Sequence, residues 1–97
     1  MKRQPTHPGE VLKEDVLPAM ENMTVSRFAR EIGVSRQTLH RILACTHPIT
    51  PEMALRIGKY VGNGPEVWLN MQTSYDLWKA LQVLAPVIKE IPKYRTA

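Results

Sequence analysis

Ninety-seven residues carry 13 Lys and Arg against 9 Asp and Glu, a formal net charge of +4, and 43% of the chain is hydrophobic. A chain of this length makes one small domain with a modest core, a size at which stability is often shared with a second subunit. The single cysteine excludes an internal disulfide and suits a reducing cytoplasm, no apolar stretch is expected to act as a secretory signal or approaches the ~20 residues of a membrane span, and the positive balance favours a polyanionic partner.

Residues 1–6 are polar and basic, with Lys2, Arg3 and Pro5, and read as a flexible arm. His7-Pro8-Gly9-Glu10 opens the first helix. Proline suits the first helical position, where no N–H is needed, and Glu10 stands where a capping-box acid folds back. Val11, Leu12 and Val16 supply the inward side until Pro18 stops the helix near Leu17. His7 therefore reads as a helix-start residue rather than a catalytic one. Met20 to Met23 is a link in which Asn22 can take positive φ in place of glycine.

Thr24 to Leu43 organises the rest. Val25, Phe28, Ala29 and Ile32 fall at i, i+3, i+4 and i+7, one apolar stripe of a helix. Thr24 is its N-cap, and Gly33 lies just past its end, where a left-handed residue is wanted. Val34 is a buried turn residue, Ser35 a second N-cap, and Leu39, Ile42 and Leu43 the inward side of the next helix. Opposite them, at about 100° per residue, lie Gln37, His40 and Arg41, flanked by Arg36 and Thr38. That set suits a DNA major groove, where arginine pairs with O6 and N7 of guanine and glutamine with N6 and N7 of adenine. Taken alone it is also what a solvated helix face looks like. Charge gathers in the same place: Arg27, Arg30, Arg36, Arg41, His40 and His47 lie between Thr24 and Pro48, against the single acid Glu31.

The loop after this stretch holds Cys45 and His47, a pair that without a second pair falls short of a zinc site. Thr50-Pro51-Glu52 caps a fourth helix with Ala54, Ile57, Gly58 and Val61 inward. Gly62-Asn63-Gly64 is a turn, and Pro65 starts a fifth helix. Its apolar face runs Trp68, Met71, Tyr75, Trp78, with Leu77, Leu81 and Leu84 beside it, until Pro86 ends the pattern. Residues 86–97 read as an extended or mobile tail. The apolar surface of helix five exceeds what four small helices can cover, so Trp68, Met71, Tyr75, Trp78 and Leu81 are expected at a homodimer interface. Trp68 would serve a monomer core equally well. The result is an all-α, five-helix domain over residues 7–85. The sequence has no glycine-rich phosphate loop, nucleophile elbow or functional carboxylate pair, and its three histidines are scattered, so no catalytic residue, metal or cofactor is expected.

Ala29, Gly33, Leu39 and Ile42 hold the four positions a helix-turn-helix requires: a small residue at the crossing, the turn, and two anchors for the recognition helix. With them the sequence resembles the lambda-repressor-like (Xre) superfamily. More narrowly it resembles the HigA-type antitoxins, also called virulence-associated protein I or plasmid-maintenance antidote proteins. The narrower resemblance rests on HPGEVLKEDVLPAM at 7–20, VSRQTLHRIL at 34–43 with TPEMALRI at 50–57, and WLNMQTSYDLW at 68–78. These cover most of residues 7 to 78, in the family order and at nearly the family spacing.

The resemblance implies a DNA-binding domain with a C-terminal helical extension, and a cytoplasmic type II antitoxin. Such a protein neutralises a HigB-type mRNA-cleaving toxin and represses its own operon; a stand-alone Xre-family regulator without a toxin is the alternative. Two recognition helices related by a dimer axis would read a palindromic operator in double-stranded DNA, with half-sites about 34 Å apart. Gln37 and Arg41 are then the first choices for base contacts, with Arg36, Thr38 and His40 beside them, and Ser26, Arg27 and the helix start at Ser35 on phosphates. Many repressors of the wider family place a glutamine at the start of the first motif helix. This chain has Val25 there, so that contact is missing or passes to Ser26. Many family members also have glycine where Cys45 stands, which implies a different turn at that helix end.

Overall fold

A computed structural model describes residues 4–95. Met1, Lys2 and Arg3 of the expected arm, and Thr96 and Ala97 of the tail, lie outside the described residues. The described chain is all-helical, without a strand: α1 (Pro8–Val11), α2 (Val25–Ile32), α3 (Arg36–Leu43), α4 (Pro51–Val61) and α5 (Pro65–Glu90).

His7 caps α1 from extended backbone (φ −63°, ψ 136°), its Nδ1 accepting the Gly9 amide at 2.9 Å, and Pro8 fills the first turn. Beyond Val11 the chain widens into a π-helical turn, Leu12–Val16, closed by the Leu17 N–H on the Leu12 carbonyl at 2.9 Å. Val11-Leu12 and Val16-Leu17 are apolar pairs five residues apart, and an i→i+5 turn keeps both pairs against the core. Asn22 takes the left-handed conformation, φ 58°, on the way to α2.

The core gathers Leu12, Phe28, Leu39, Ile42, Ile57 and Trp68, none more than 1% exposed. Each contributes about 1.5–3 kcal/mol by leaving water. α4 packs between α2 and α5, while α1 bridges α3 and α5. The α1–α3 crossing is close enough that a Cβ at Gly9 would run into the Ile42 carbonyl, so glycine is a steric requirement there. Gln72, 5% exposed, accepts the Ile49 N–H at 2.8 Å and donates to Asp76 at 2.9 Å. It ties the loop after α3 to α5.

Three expectations are corrected. Trp68 is not an interface residue: it is buried in the monomer core, with its indole N–H donating to Asn63 Oδ1 at 2.9 Å. Pro86 does not end the last helix, which runs on to Glu90. Proline removes one hydrogen bond to the carbonyl four residues back, but Gln82 and Pro86 are both exposed, so water can serve that carbonyl. Cys45 does not impose a different turn. It takes φ 64°, and the Thr46 N–H reaches the Arg41 carbonyl at 3.0 Å, the left-handed ending that glycine would give.

The molecule is elongated, 60 × 24 × 22 Å, with a radius of gyration of 16.7 Å. A compact chain of this length would have one of about 12.5 Å. The difference lies in α5, whose C-terminal half projects from the body; every residue from 79 to 95 is exposed.

Candidate nucleic-acid interface

The α2–turn–α3 unit is built by short-range hydrogen bonds. Thr24 Oγ1 accepts the Arg27 amide at 3.0 Å and starts α2. Gly33 ends it at φ 79°, with the Val34 N–H on the Ala29 carbonyl at 3.0 Å. Ser35 starts α3: its Oγ accepts the Thr38 amide at 3.0 Å and donates to Thr38 Oγ1 at 2.8 Å. Ala29, Leu39 and Ile42 are buried between the two helices and the core, as the motif requires. The far end of α3 is closed by Thr46, whose Oγ1 donates to the Arg41 carbonyl at 3.1 Å.

With one side of α3 locked inward, Arg36, Gln37, His40 and Arg41 stand exposed together on the other. Thr38 is half-buried and its hydroxyl is engaged by Ser35, which makes both residues supports of the helix start. Ser26 and Arg36, assigned separately from the sequence, are brought into contact: Arg36 Nη1 donates to Ser26 Oγ at 3.2 Å. Neither ion pair among the described residues touches α3, so its arginines carry uncompensated charge.

Arg27 is placed differently. Its Nε donates to Glu31 at 3.3 Å, and the Tyr60 hydroxyl donates to the same carboxylate. The guanidinium is thereby held by a carboxylate of its own helix, which Tyr60 of α4 also engages. Among the expected interface residues of α5, Met71 packs against the core, Tyr75 makes a T-shaped contact with His7 (centroids 4.8 Å apart), Trp78 is half-buried and Leu81 is 50% exposed.

Arg56 was not singled out in the sequence. Its Nη1 donates to the Ile32 carbonyl at 2.8 Å and its Nε to Glu52 at 3.2 Å, so α4 caps the end of α2 and holds the angle of the turn. The partner lies 24 positions away, and an arginine on an exposed helix face gives no local sign of it. Burial pushes the Cys45 thiol up, away from the nucleophilic thiolate, and pushes the His7 imidazole down. Among the described residues, no group of three or more His, Cys, Asp or Glu side chains is placed to hold a metal ion, and no helix is long and apolar enough to cross a membrane.

No family model matches the chain. Virulence-associated protein I of Dichelobacter nodosus is 40% identical over 76 residues, 78% of this chain and 69% of the relative. Antitoxin HigA-1 of Vibrio cholerae is 36% identical over 77 residues, 79% of this chain and 71% of the relative. The solved structure of Pseudomonas aeruginosa antitoxin HigA with the higBA promoter superposes with a TM-score of 0.86 at 30% identity, over 94% of this chain and 99% of that one.

Proposed function

Since the chain belongs to the HigA family of helix-turn-helix antitoxins, we propose that it binds operator DNA through α3, represses its own operon and neutralises a HigB-type toxin. The outward face of α3 carries this reading: Arg36, Gln37, His40 and Arg41 are exposed side by side on a helix anchored by Leu39 and Ile42. Donors of this kind on a rigid helix are what base edges in the major groove accept. Arg41 and Gln37 read bases, the Ser26–Arg36 pair grips the adjoining phosphate, and Arg27 supplies longer-range attraction at most, because Glu31 already holds it. A two-fold dimer formed through α5 presents two such helices to a palindrome. Residues 7–85 form the working domain, the N-terminal arm and the tail flank it, and the protein works in the cytoplasm beside its operon.

Two measurements in cells test the reading. A reporter fused to the upstream region should be repressed by the wild type and released by Arg41→Ala. A small basic reading frame beside the gene should arrest growth alone and be tolerated when co-expressed with this chain. Repression without any such toxin would reduce the protein to a stand-alone regulator; a reporter indifferent to the protein would remove the DNA reading itself.

A further inference from the structure

Two ion pairs of the same make stand on α2 and α4, and they differ in what the arginine has left to give. On α4, Arg56 Nε donates to Glu52 at 3.2 Å, while Nη1 of the same guanidinium is taken by the Ile32 carbonyl at 2.8 Å. On α2, Arg27 Nε donates to Glu31 at 3.3 Å, and its terminal nitrogens meet no acceptor among the described residues. Glu31 therefore cancels the charge of Arg27 and leaves most of its donors free. It is also the single acid between Thr24 and Pro48.

An isolated, exposed pair at this spacing is weak, and an approaching phosphate would take the arginine from it. Glu31 is not isolated. The Tyr60 hydroxyl donates to the same carboxylate oxygen. The Tyr60 ring in turn meets Phe28 edge to face, with centroids 5.0 Å apart, and Phe28 is fully buried. The carboxylate is thus tied to the core through α4, which keeps its charge beside Arg27 when an anion approaches.

The other arginines of this stretch, Arg30, Arg36 and Arg41, belong to neither ion pair among the described residues. Only Arg27 is matched. A cation that neutralises a phosphate adds affinity for DNA of any sequence, and it steepens the fall of log K with log salt by about 0.9. Selectivity comes from base contacts instead. Cancelling Arg27 therefore lowers sequence-independent binding and leaves Gln37 and Arg41 as they are. Ordinary DNA offers on the order of 10⁶ competing sites or more, so such a reduction leaves more of the chain free to reach its operator.

We propose that Glu31, held in place by Tyr60, is a positioning residue that sets how strongly the chain grips DNA of any sequence, by withholding Arg27 from the phosphates. This rests on the DNA-binding reading above and adds the part played by the one acid of the recognition region. Glu31 acts through Arg27 and touches no DNA itself.

Glu31→Gln keeps an acceptor oxygen for Arg27 and Tyr60 and removes only the charge. Binding of the full chain to a scrambled duplex, followed by fluorescence anisotropy between ~50 and ~200 mM salt, reads its effect. The slope of Glu31→Gln should steepen by about 0.9, an extra loss of about 3.5-fold over that range, and its affinity at ~50 mM should exceed that of the wild type. Adding Arg27→Ala should return the slope to the wild-type value. Glu52→Gln changes the net charge equally but should leave the slope alone, because the Ile32 carbonyl already engages Arg56. An unchanged slope for Glu31→Gln, or equal steepening for Glu52→Gln, would overturn the role of Glu31. The upstream duplex, run alongside, separates the two readings. A lasting preference for it with an unchanged Glu31→Gln slope overturns this proposal alone; a chain that binds neither duplex overturns both.

Discussion

Two side chains of the recognition region differ in what surrounds them, and their substitutions should differ accordingly. Arg41 is exposed and unpaired, so it can form the bidentate contact that distinguishes one base pair from another. Arg41→Ala should lose about 1–3 kcal/mol on the best operator and relax selectivity at one position. Arg27→Ala should weaken all sequences alike and only slightly, since Glu31 already neutralises Arg27. Binding to a series of single-base operator variants checks both; equal losses on every variant for the two substitutions would remove Arg41 from base reading. His7 allows a separate test through pH. Desolvation is the main force lowering its pKa from the usual 6.5; Lys79 adds to that, and Asp76 and Glu10 oppose it. The folded chain therefore binds fewer protons than the unfolded chain between the lowered value and 6.5. Stability is complete above that window and falls as the pH drops through it. Protonation also removes the Nδ1 acceptor of the Gly9 amide. The urea midpoint should fall between about pH 7.5 and 5.5, and His7→Asn, which keeps a capping acceptor, should lose most of that dependence. A variant that keeps the full slope would place the titration elsewhere.

At the scale of elements, the sequence revealed what neighbours in the chain decide. Thr24, Ser35 and Thr50 each accept the amide three residues on, as N-caps do, and Gly33 and Asn22 take the left-handed conformations assigned to them. These bonds close within a few residues, so residue type is enough to find them. Gln72, Arg56 and Gly9 were missed for the opposite reason. Their contacts, with the Ile49 amide, the Ile32 carbonyl and the Ile42 carbonyl, join elements far apart in sequence. The end of α5 is not legible from Pro86 alone, because in an exposed turn water can serve the carbonyl that proline leaves without its N–H partner. The long-range contacts also matter energetically. Gln72→Leu keeps the volume but leaves the buried Ile49 N–H without an acceptor, and should destabilise the fold by about 1–3 kcal/mol. Chemical denaturation measures this directly; a loss below about 0.5 kcal/mol, the low end for a typical hydrogen bond, would mean that water takes over the amide.

For the whole molecule, a small body with a projecting apolar helix and an exposed basic recognition face fits a protein that pairs with itself and then meets DNA. The fold class and the recognition face were legible because periodicity and residue chemistry determine them. Which tryptophan is core was not, since Trp68 and Trp78 share one helical face in the sequence and only packing separates them. The claim that α3 reads sequence is tested most directly by fluorescence anisotropy of the purified chain on its own upstream DNA and on a scrambled duplex. Both are measured at ~50 and ~200 mM salt, a range over which phosphate contacts weaken steeply. The expected result is binding that falls with salt on both duplexes but keeps a preference for the upstream DNA on the order of 10³ at the higher salt. Equal, weak binding to the two duplexes at both salts would contradict it.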